Sequence, residues 1–132
     1  MSQTEAPSAT SVQRAVEIYY SAVCAMDVEA WVNNFAADAV DEEPGRPPMR
    51  GRDALRAFFL GLGNAFQSID LRADHVFITG DTAAVKFTGR GKGRNGRDVT
   101  FEGIDVFEVN RDGRIQRMRA YWDPAAMFAQ LG

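Results

Sequence analysis

The chain has 132 residues and a net charge of −3, enough sequence for one domain with its own core. The acidic balance argues against nucleic acid as a partner, because nucleic-acid-binding proteins usually present a basic face, and no apolar run approaches the ~20 residues that span a bilayer. Cys24 is the only cysteine and His75 the only histidine, which excludes an internal disulfide and a zinc site built from these residues.

The N-terminal residues are small and polar. Residues 1–10 lack the charged and apolar regions of a signal peptide, so we expect a short disordered arm there and a single domain over 11–132. Together with the composition, this predicts a cytoplasmic protein that works without a metal ion.

Three helices are predicted in the first half of the chain. Ser11 is the expected N-cap of a helix over 11–27, a second helix follows Asp27, and a third runs over 52–66. Their apolar faces repeat with helical spacing: Val12, Val16, Tyr19, Val23 and Met26 in the first, Val28, Trp31, Val32 and Phe35 in the second, and Leu55, Phe58, Phe59, Leu62 and Phe66 in the third. A short extended segment over 39–43 is expected before the third helix.

After Gln67 the apolar pattern alternates with a period of two. This predicts strands over 68–79, 82–92, 97–110 and 113–123, separated by Gly-containing turns; residues 124–131 form a short tail or helical turn. Three helices followed by a meandering sheet indicate an α+β fold. Helices packed on one face of a curved sheet would enclose a conical pocket.

Two polar side chains fall on predicted buried faces. Tyr19 lies in the apolar stripe of the first helix, where it is either a core tyrosine or a ligand-binding group. Asp105 points to the same face of its strand as Phe101 and Phe107. An isolated anion there would be very costly, so Asp105 is either paired with an arginine such as Arg119 or a neutral acid that donates a hydrogen bond.

Glu43 closes the first extended segment and shares a face with Ala39 and Asp41. Pro44 restrains its backbone to extended conformations. Glu43 is therefore either a solvated strand end or a general base at the rim of the cavity. On the last strand, Met118 and Trp122 share one face, as part of the core or as an apolar pocket wall.

Taken together, these features resemble the bacterial Δ5-3-ketosteroid isomerases, within the nuclear transport factor two-like superfamily of conical α+β barrels. The resemblance covers about Ser11 to Trp122. It is carried by five stretches: Val12-Gln13-Arg14 leading to Tyr19, Phe35-Ala36-Ala37-Asp38-Ala39, Glu43-Pro44, Ile104-Asp105-Val106-Phe107, and Met118-Arg119-Ala120-Tyr121-Trp122.

The resemblance implies a cofactor-independent isomerase that moves a double bond into conjugation with a ketone. Tyr19 and protonated Asp105 would form the oxyanion hole and Glu43 would shuttle the proton. The partner would be a small, hydrophobic, steroid-like ketone, and the protein a homodimer. The apolar wall of the substrate site would comprise Phe59, Phe87, Phe101, Met118 and Trp122.

The sequence departs from that family in two places. Glu43 stands where the family usually has Asp, and Phe59 where many members carry a tyrosine that bonds the oxyanion tyrosine. Two alternatives stay open: a non-catalytic module that binds hydrophobic ligands, and another small-molecule enzyme of the same fold, such as a polyketide cyclase. The Asp–Arg–Asp set of the limonene epoxide hydrolases finds no match in the chain.

Overall fold

A computed structural model describes residues 7–132 of the protein. Of the predicted N-terminal arm, residues 1–6 lie outside the described residues, while Ala9 and Thr10 already belong to the first helix. Within residues 7–132, no helix combines the length and the hydropathy that a membrane crossing requires.

Residues 7–132 contain four helices, the three predicted from the sequence and one at the predicted C-terminal tail or helical turn. They are α1 (Ala9–Ala25), α2 (Val28–Asn33), α3 (Arg52–Gly63) and α4 (Pro124–Gln130). Ser8, not Ser11, is the N-cap of α1, because its hydroxyl accepts a hydrogen bond from the Ser11 backbone N–H. The possible helical turn after residue 123 is α4, which Asp123 caps in the same way.

The chain leaves α2 earlier than the helical spacing predicts. Phe35 was expected on the apolar face of that helix, but it begins the first strand. The Arg52 guanidinium donates to the Phe35 carbonyl, and the Asn34 side chain donates to the Ala15 carbonyl. These long-range bonds hold the chain in the new direction.

Six strands form one curved sheet that does not close into a barrel. They are β1 (Phe35–Glu42), β2 (Met49–Arg50), β3 (Phe66–Thr79), β4 (Thr82–Gly93), β5 (Asp98–Val109) and β6 (Ile115–Trp122), in the order β2-β1-β6-β5-β4-β3. All neighbours are antiparallel except β1 and β6. The predicted α+β class and the four long strands are confirmed. The short β2 was not predicted, and Phe66 opens β3 instead of ending α3.

The helices pack on one face of this sheet. Helix α1 lies across β3, β4 and β5, and α2 joins α1 to α3, which packs near β1. Glycines let aromatic rings approach the sheet closely. A Cβ on Gly103 would lie 2.7 Å from the Trp122 Cβ, and one on Gly89 would collide with the Phe101 ring. The sheet therefore presents rings, rather than backbone, to the space beneath the helices.

Candidate active site

An apolar cavity lies between the helices and the sheet. Most of its wall is hydrophobic, from all four helices and four strands. Among the described residues that line it, the side chains that carry nitrogen or oxygen atoms are Tyr19, Trp31, Glu43, Asp105 and Trp122. Such a wall with few polar groups is typical of a site for a small hydrophobic ligand.

Asp105 is buried at this cavity, with 3% of its surface exposed. The Tyr20 hydroxyl donates a 2.6 Å hydrogen bond to Asp105 Oδ2. Burial raises the pKa of Asp105 to about 8, against the lowering effect of the Tyr20 hydrogen bond. No ion pair with Arg119 forms, because the Arg119 guanidinium bonds to Glu42 at 3.0 Å on the other side of the sheet. Of the two possibilities from the sequence, the pair with Arg119 is therefore not formed, and the raised pKa favours the neutral form of Asp105.

Two adjacent tyrosines of α1 have different partners. Tyr19 lines the cavity, and its ring packs edge-on against Phe107. Within residues 7–132, nothing is hydrogen-bonded to the Tyr19 hydroxyl. Tyr20 does not line the cavity and is the direct partner of Asp105. Tyr20 was not predicted as a site residue, although its position one helical turn after Val16 places it on the buried stripe.

Phe59 explains part of this arrangement. It lines the cavity from α3, and its ring packs on Trp31 with the ring centres 4.9 Å apart. Phe59 has no hydroxyl, so it cannot bond the Tyr19 hydroxyl from this position. The Tyr19 O–H is therefore available to a ligand in the cavity.

Glu43 follows directly after β1, where the cavity opens. The Trp122 indole N–H donates to Glu43 Oε1 at 3.0 Å. Burial raises the pKa of Glu43, while the neighbouring Asp41 carboxyl group, the Trp122 hydrogen bond and the positive charge of Arg46 act to lower it. Glu43 is not the solvated strand end that its acidic neighbours allowed. Its carboxyl group belongs to the cavity.

Asp41 is a second residue near the cavity that was given no role from the sequence. It is completely buried, and among the described residues neither of its carboxyl oxygens has a hydrogen-bond donor. Desolvation, reinforced by the nearby Glu43 charge, raises the pKa of Asp41 well above its usual value. The face that Asp41 shares with Ala39 and Glu43 was the signal in the sequence that could have identified it.

Four of the five residues expected as the apolar wall line the cavity: Phe59, Phe87, Phe101 and Trp122. Met118 is the exception and a correction to the sequence analysis. It faces the same side of β6 as Trp122, but it is completely buried opposite Phe107 and Asp41 and does not line the cavity. Strand parity gives the face of a side chain and not its depth along the strand.

A shallow groove continues the cavity to the surface. It shares Glu43, Phe58, Leu62 and Trp122 with the cavity and adds residues of the loop after β1 and of α4. The Arg46 guanidinium lies over the Phe58 ring at 5.2 Å from its centre, within the range of a cation–π contact. Glu43 thus stands where the apolar interior meets this more polar mouth.

The Tyr20–Asp105 hydrogen bond has a testable effect on stability. Tyr20→Phe is expected to lower the free energy of unfolding by about 1–3 kcal/mol, because a buried acceptor loses its donor. Tyr19→Phe is the matched control. It removes a hydroxyl from the next residue without breaking a hydrogen bond inside the described chain, and should change stability far less. Urea unfolding at neutral pH measures both; equal losses would contradict the assignment of Tyr20 as the donor.

The site thus brings two carboxyl groups, Asp105 and Glu43, and the Tyr19 phenol into one apolar cavity. Asp105 and Tyr19 can each donate a hydrogen bond to a ligand oxygen, and Glu43 can accept a proton. Because Tyr20 occupies Asp105 Oδ2, the carboxylic proton of Asp105 belongs on Oδ1. This arrangement suits a reaction in which negative charge develops on a ligand oxygen while a proton leaves carbon.

Comparison with known families gives one match that covers most of the chain. The SnoaL-like domain matches residues 16–118. Among curated proteins, the chain is 35% identical over 120 residues to a steroid Delta-isomerase of Nocardioides simplex. That alignment covers 88% of this chain and 93% of the relative.

Solved structures of similar architecture include two enzymes and a protein of unknown function. An LEH-like epoxide hydrolase of M. tuberculosis superposes with a TM-score of 0.76 at 25% identity, over 92% of this chain and 90% of that one. The epoxide hydrolase/cyclase-like enzyme SalBIII, described in pyran ring formation in polyether salinomycin, gives 0.78 at 25% identity, over 89% and 94%. An NTF2-like protein from Burkholderia pseudomallei gives 0.81 at 21% identity, over 92% and 97%, and supports the fold alone.

Proposed function

The chain belongs to the SnoaL-like, NTF2-like family, and on this basis we propose that it is an isomerase that moves a carbon–carbon double bond into conjugation with a ketone. The substrate is a flat hydrophobic β,γ-unsaturated ketone of the 3-oxo-Δ5-steroid class. The similarity to a steroid Delta-isomerase over most of both chains supports this class of reaction.

In the proposed reaction, the substrate carbonyl lies between Tyr19 and Asp105. Both donate hydrogen bonds to its oxygen. Glu43 removes the α-proton as the C–H electrons move into the dienolate, and then returns the proton to the γ-carbon. The donors accelerate the step because negative charge grows on that oxygen in the transition state. The conjugated substrate holds the charge itself, so the step needs no cofactor.

The proposal is supported mainly by the presence of two carboxyl groups in one cavity whose surroundings favour opposite protonation states. Asp105 is enclosed and its pKa is raised to about 8, so at neutral pH it is predominantly an acid that can donate. Glu43 lies at the mouth with Trp122 donating to it, which favours the anion that a base requires. Environments that make one carboxyl group an acid and the other a base at the same pH are typical of acid–base catalysis.

The direct test is turnover of 5-androstene-3,17-dione by the purified protein. We expect the ultraviolet absorbance of the conjugated enone to rise faster than in a protein-free control, with no added cofactor. Equilenin, a phenolic steroid that resembles the dienolate, should inhibit competitively. Tight equilenin binding without any turnover would contradict the isomerase and favour a binding module.

The epoxide hydrolase and cyclase named among the structural neighbours define the second reaction class to test. A neutral acid and a carboxylate in one cavity also suit epoxide opening, in which the acid protonates the oxygen and the base activates water. Among the described residues that line the cavity, however, there is no arginine, so the Asp–Arg–Asp arrangement is not matched. Hydrolysis of a hydrophobic epoxide without isomerisation of the enone would favour this alternative.

The proposal includes a homodimer, which the family resemblance implies, and a cytoplasmic location, which the composition and the N-terminal residues predict. Ile104 and Tyr121 are register partners on the face of the sheet that the helices leave open, and both are exposed. Phe77 is exposed on β3 as well. These apolar side chains support an interface between two copies, which sedimentation analysis would detect.

A further inference from the structure

Asp41 is a buried carboxyl group that the reaction proposed above does not use. It lies on β1 with Met49 on one side and Met118 on the other as register partners, both buried. Asp41 itself is 0% exposed. Within residues 7–132, neither of its oxygens receives a hydrogen bond from a donor group. An anion in these surroundings would be strongly disfavoured, so Asp41 retains its proton.

The polar neighbour of Asp41 is Glu43, two residues further along the same face of the chain. After desolvation, the charge of Glu43 has the largest effect on the pKa of Asp41, so the two carboxyl groups are close neighbours. Two neighbouring carboxylates cannot both be ionised in a buried site, and a proton shared between them is the stable arrangement. Glu43 lies at the mouth of the cavity and accepts from Trp122, whereas Asp41 is enclosed. The proton therefore belongs to Asp41 and the charge to Glu43.

We propose that Asp41 is a positioning residue for the base: it stays protonated, donates its O–H to the Glu43 carboxylate, and keeps that carboxylate ionised and fixed at the cavity. This inference rests on the proposed function, in which Glu43 takes the α-proton. During turnover that proton passes from carbon to Glu43 and back to the γ-carbon. The Asp41 proton remains on Asp41 throughout, so no other group has to supply or accept one.

The other charged and titratable groups near Asp41 and Glu43 do little to stabilise a negative charge on Glu43. Asp105 from β5 and Tyr19 from α1 face the two carboxyls, and neither contributes positive charge at neutral pH. Arg46, in the loop after Glu43, is a cation that acts on both, and it is exposed. The described carboxyls do not form a group able to hold a metal ion. Besides Trp122, the Asp41 O–H is the hydrogen bond that stabilises the Glu43 anion.

The pH profile of kcat/KM separates this role from a structural one. Asp41→Val removes the donor and leaves an apolar side chain suited to a strand between two methionines. We expect the acidic limb of the profile to move upward by about one pH unit, the shift that loss of a hydrogen bond to a charged group produces. At a pH near that limb, kcat/KM should fall up to about tenfold, while the plateau changes little. Asp41→Asn keeps an N–H donor in the same place and should restore the wild-type profile.

Asp38→Asn is the matched control, because Asp38 lies on the same strand but is exposed and bonded to Gln116. It should leave the profile unchanged. A downward shift of the acidic limb in Asp41→Val would mean that Asp41 is charged, and would overturn the inference. A uniform loss at every pH with an unshifted limb would do the same, since it would show a structural role only.

A second measurement decides the role of Asp41 without any turnover. Carbon-13 NMR of glutamate-labelled protein follows the Glu43 carboxyl directly, with the signal assigned by its loss in Glu43→Gln. In Asp41→Val the Glu43 titration should move to higher pH, and in Asp41→Asn it should stay near the wild type. If the wild type does not isomerise the steroid, the proposed function fails; an upward shift in this titration still supports the Asp41–Glu43 hydrogen bond, and no shift overturns it.

Discussion

Glu43→Gln is expected to lower kcat by about a hundredfold to ten-thousandfold, the range that a positioned general base contributes. The amide has nearly the same shape and can still accept the Trp122 hydrogen bond, but it cannot take up a proton. Affinity for equilenin should therefore stay close to that of the wild type. Steady-state kinetics with 5-androstene-3,17-dione and equilenin titration measure the two effects separately.

Glu42→Gln is the control for this variant. Glu42 is the adjacent carboxyl, but it faces the other side of the sheet, where it pairs with Arg117 and Arg119 at 3.0 Å. These two partly exposed ion pairs are expected to add little to the free energy of unfolding. The Glu42→Gln variant should therefore keep the activity of the wild type. A Glu43→Gln enzyme with wild-type kcat would show that another group is the base.

The second large effect concerns Asp105, which the reaction requires in its protonated form. We expect kcat/KM to fall as pH rises through about 8, the pKa of Asp105 in the free protein. On the acidic side, activity should fall as Glu43 becomes protonated, at a pKa raised above its usual value. The profile is therefore a bell whose alkaline limb belongs to Asp105.

Two variants at Asp105 distinguish donation from packing. Asp105→Asn can accept from Tyr20 and donate an N–H to the ligand, so it should keep much of the activity and lose the alkaline limb near pH 8. Asp105→Leu removes the donor and should lower kcat/KM by roughly a hundredfold to a thousandfold. This corresponds to a loss of about 2.7–4 kcal/mol of transition-state stabilisation. Equal activity of the two variants would contradict hydrogen-bond donation by Asp105.

The same carboxyl group makes stability depend on pH. The pKa of Asp105 is about 8 in the folded protein, against 3.8 for an unperturbed aspartate such as that of the unfolded chain. Between these two pH values, the folded chain holds a proton that the unfolded chain has released. The contribution of Asp105 to the free energy of unfolding is therefore complete below about pH 4. It falls with a slope of up to about 1.4 kcal/mol per pH unit until about pH 8. Urea unfolding across this range should show a shallower decline in Asp105→Asn.

Several features of the site follow from local pattern. A period of two along β5 placed Asp105 on the same face as Phe101 and Phe107, and the cost of a buried anion left two possibilities, a pair with an arginine or a neutral acid. Pro44 restricts the backbone of Glu43 whatever the rest of the chain does. The long strands and the α+β class were predictable for the same reason, since backbone preference and side-chain alternation act between near neighbours.

The partners of Tyr19 and Tyr20 and the burial of Asp41 were decided by the tertiary structure alone. Tyr19 and Tyr20 are consecutive on α1. The packing of that helix across the curved sheet places Tyr20 against Asp105 and Tyr19 at the cavity. Asp41 is buried because β1 pairs in parallel with β6, whose Met118 lies beside it. Such pairing joins segments far apart in the chain, and no local pattern encodes it. The sequence by itself determined which side chains face inward; the packing of distant elements determined which of them meet.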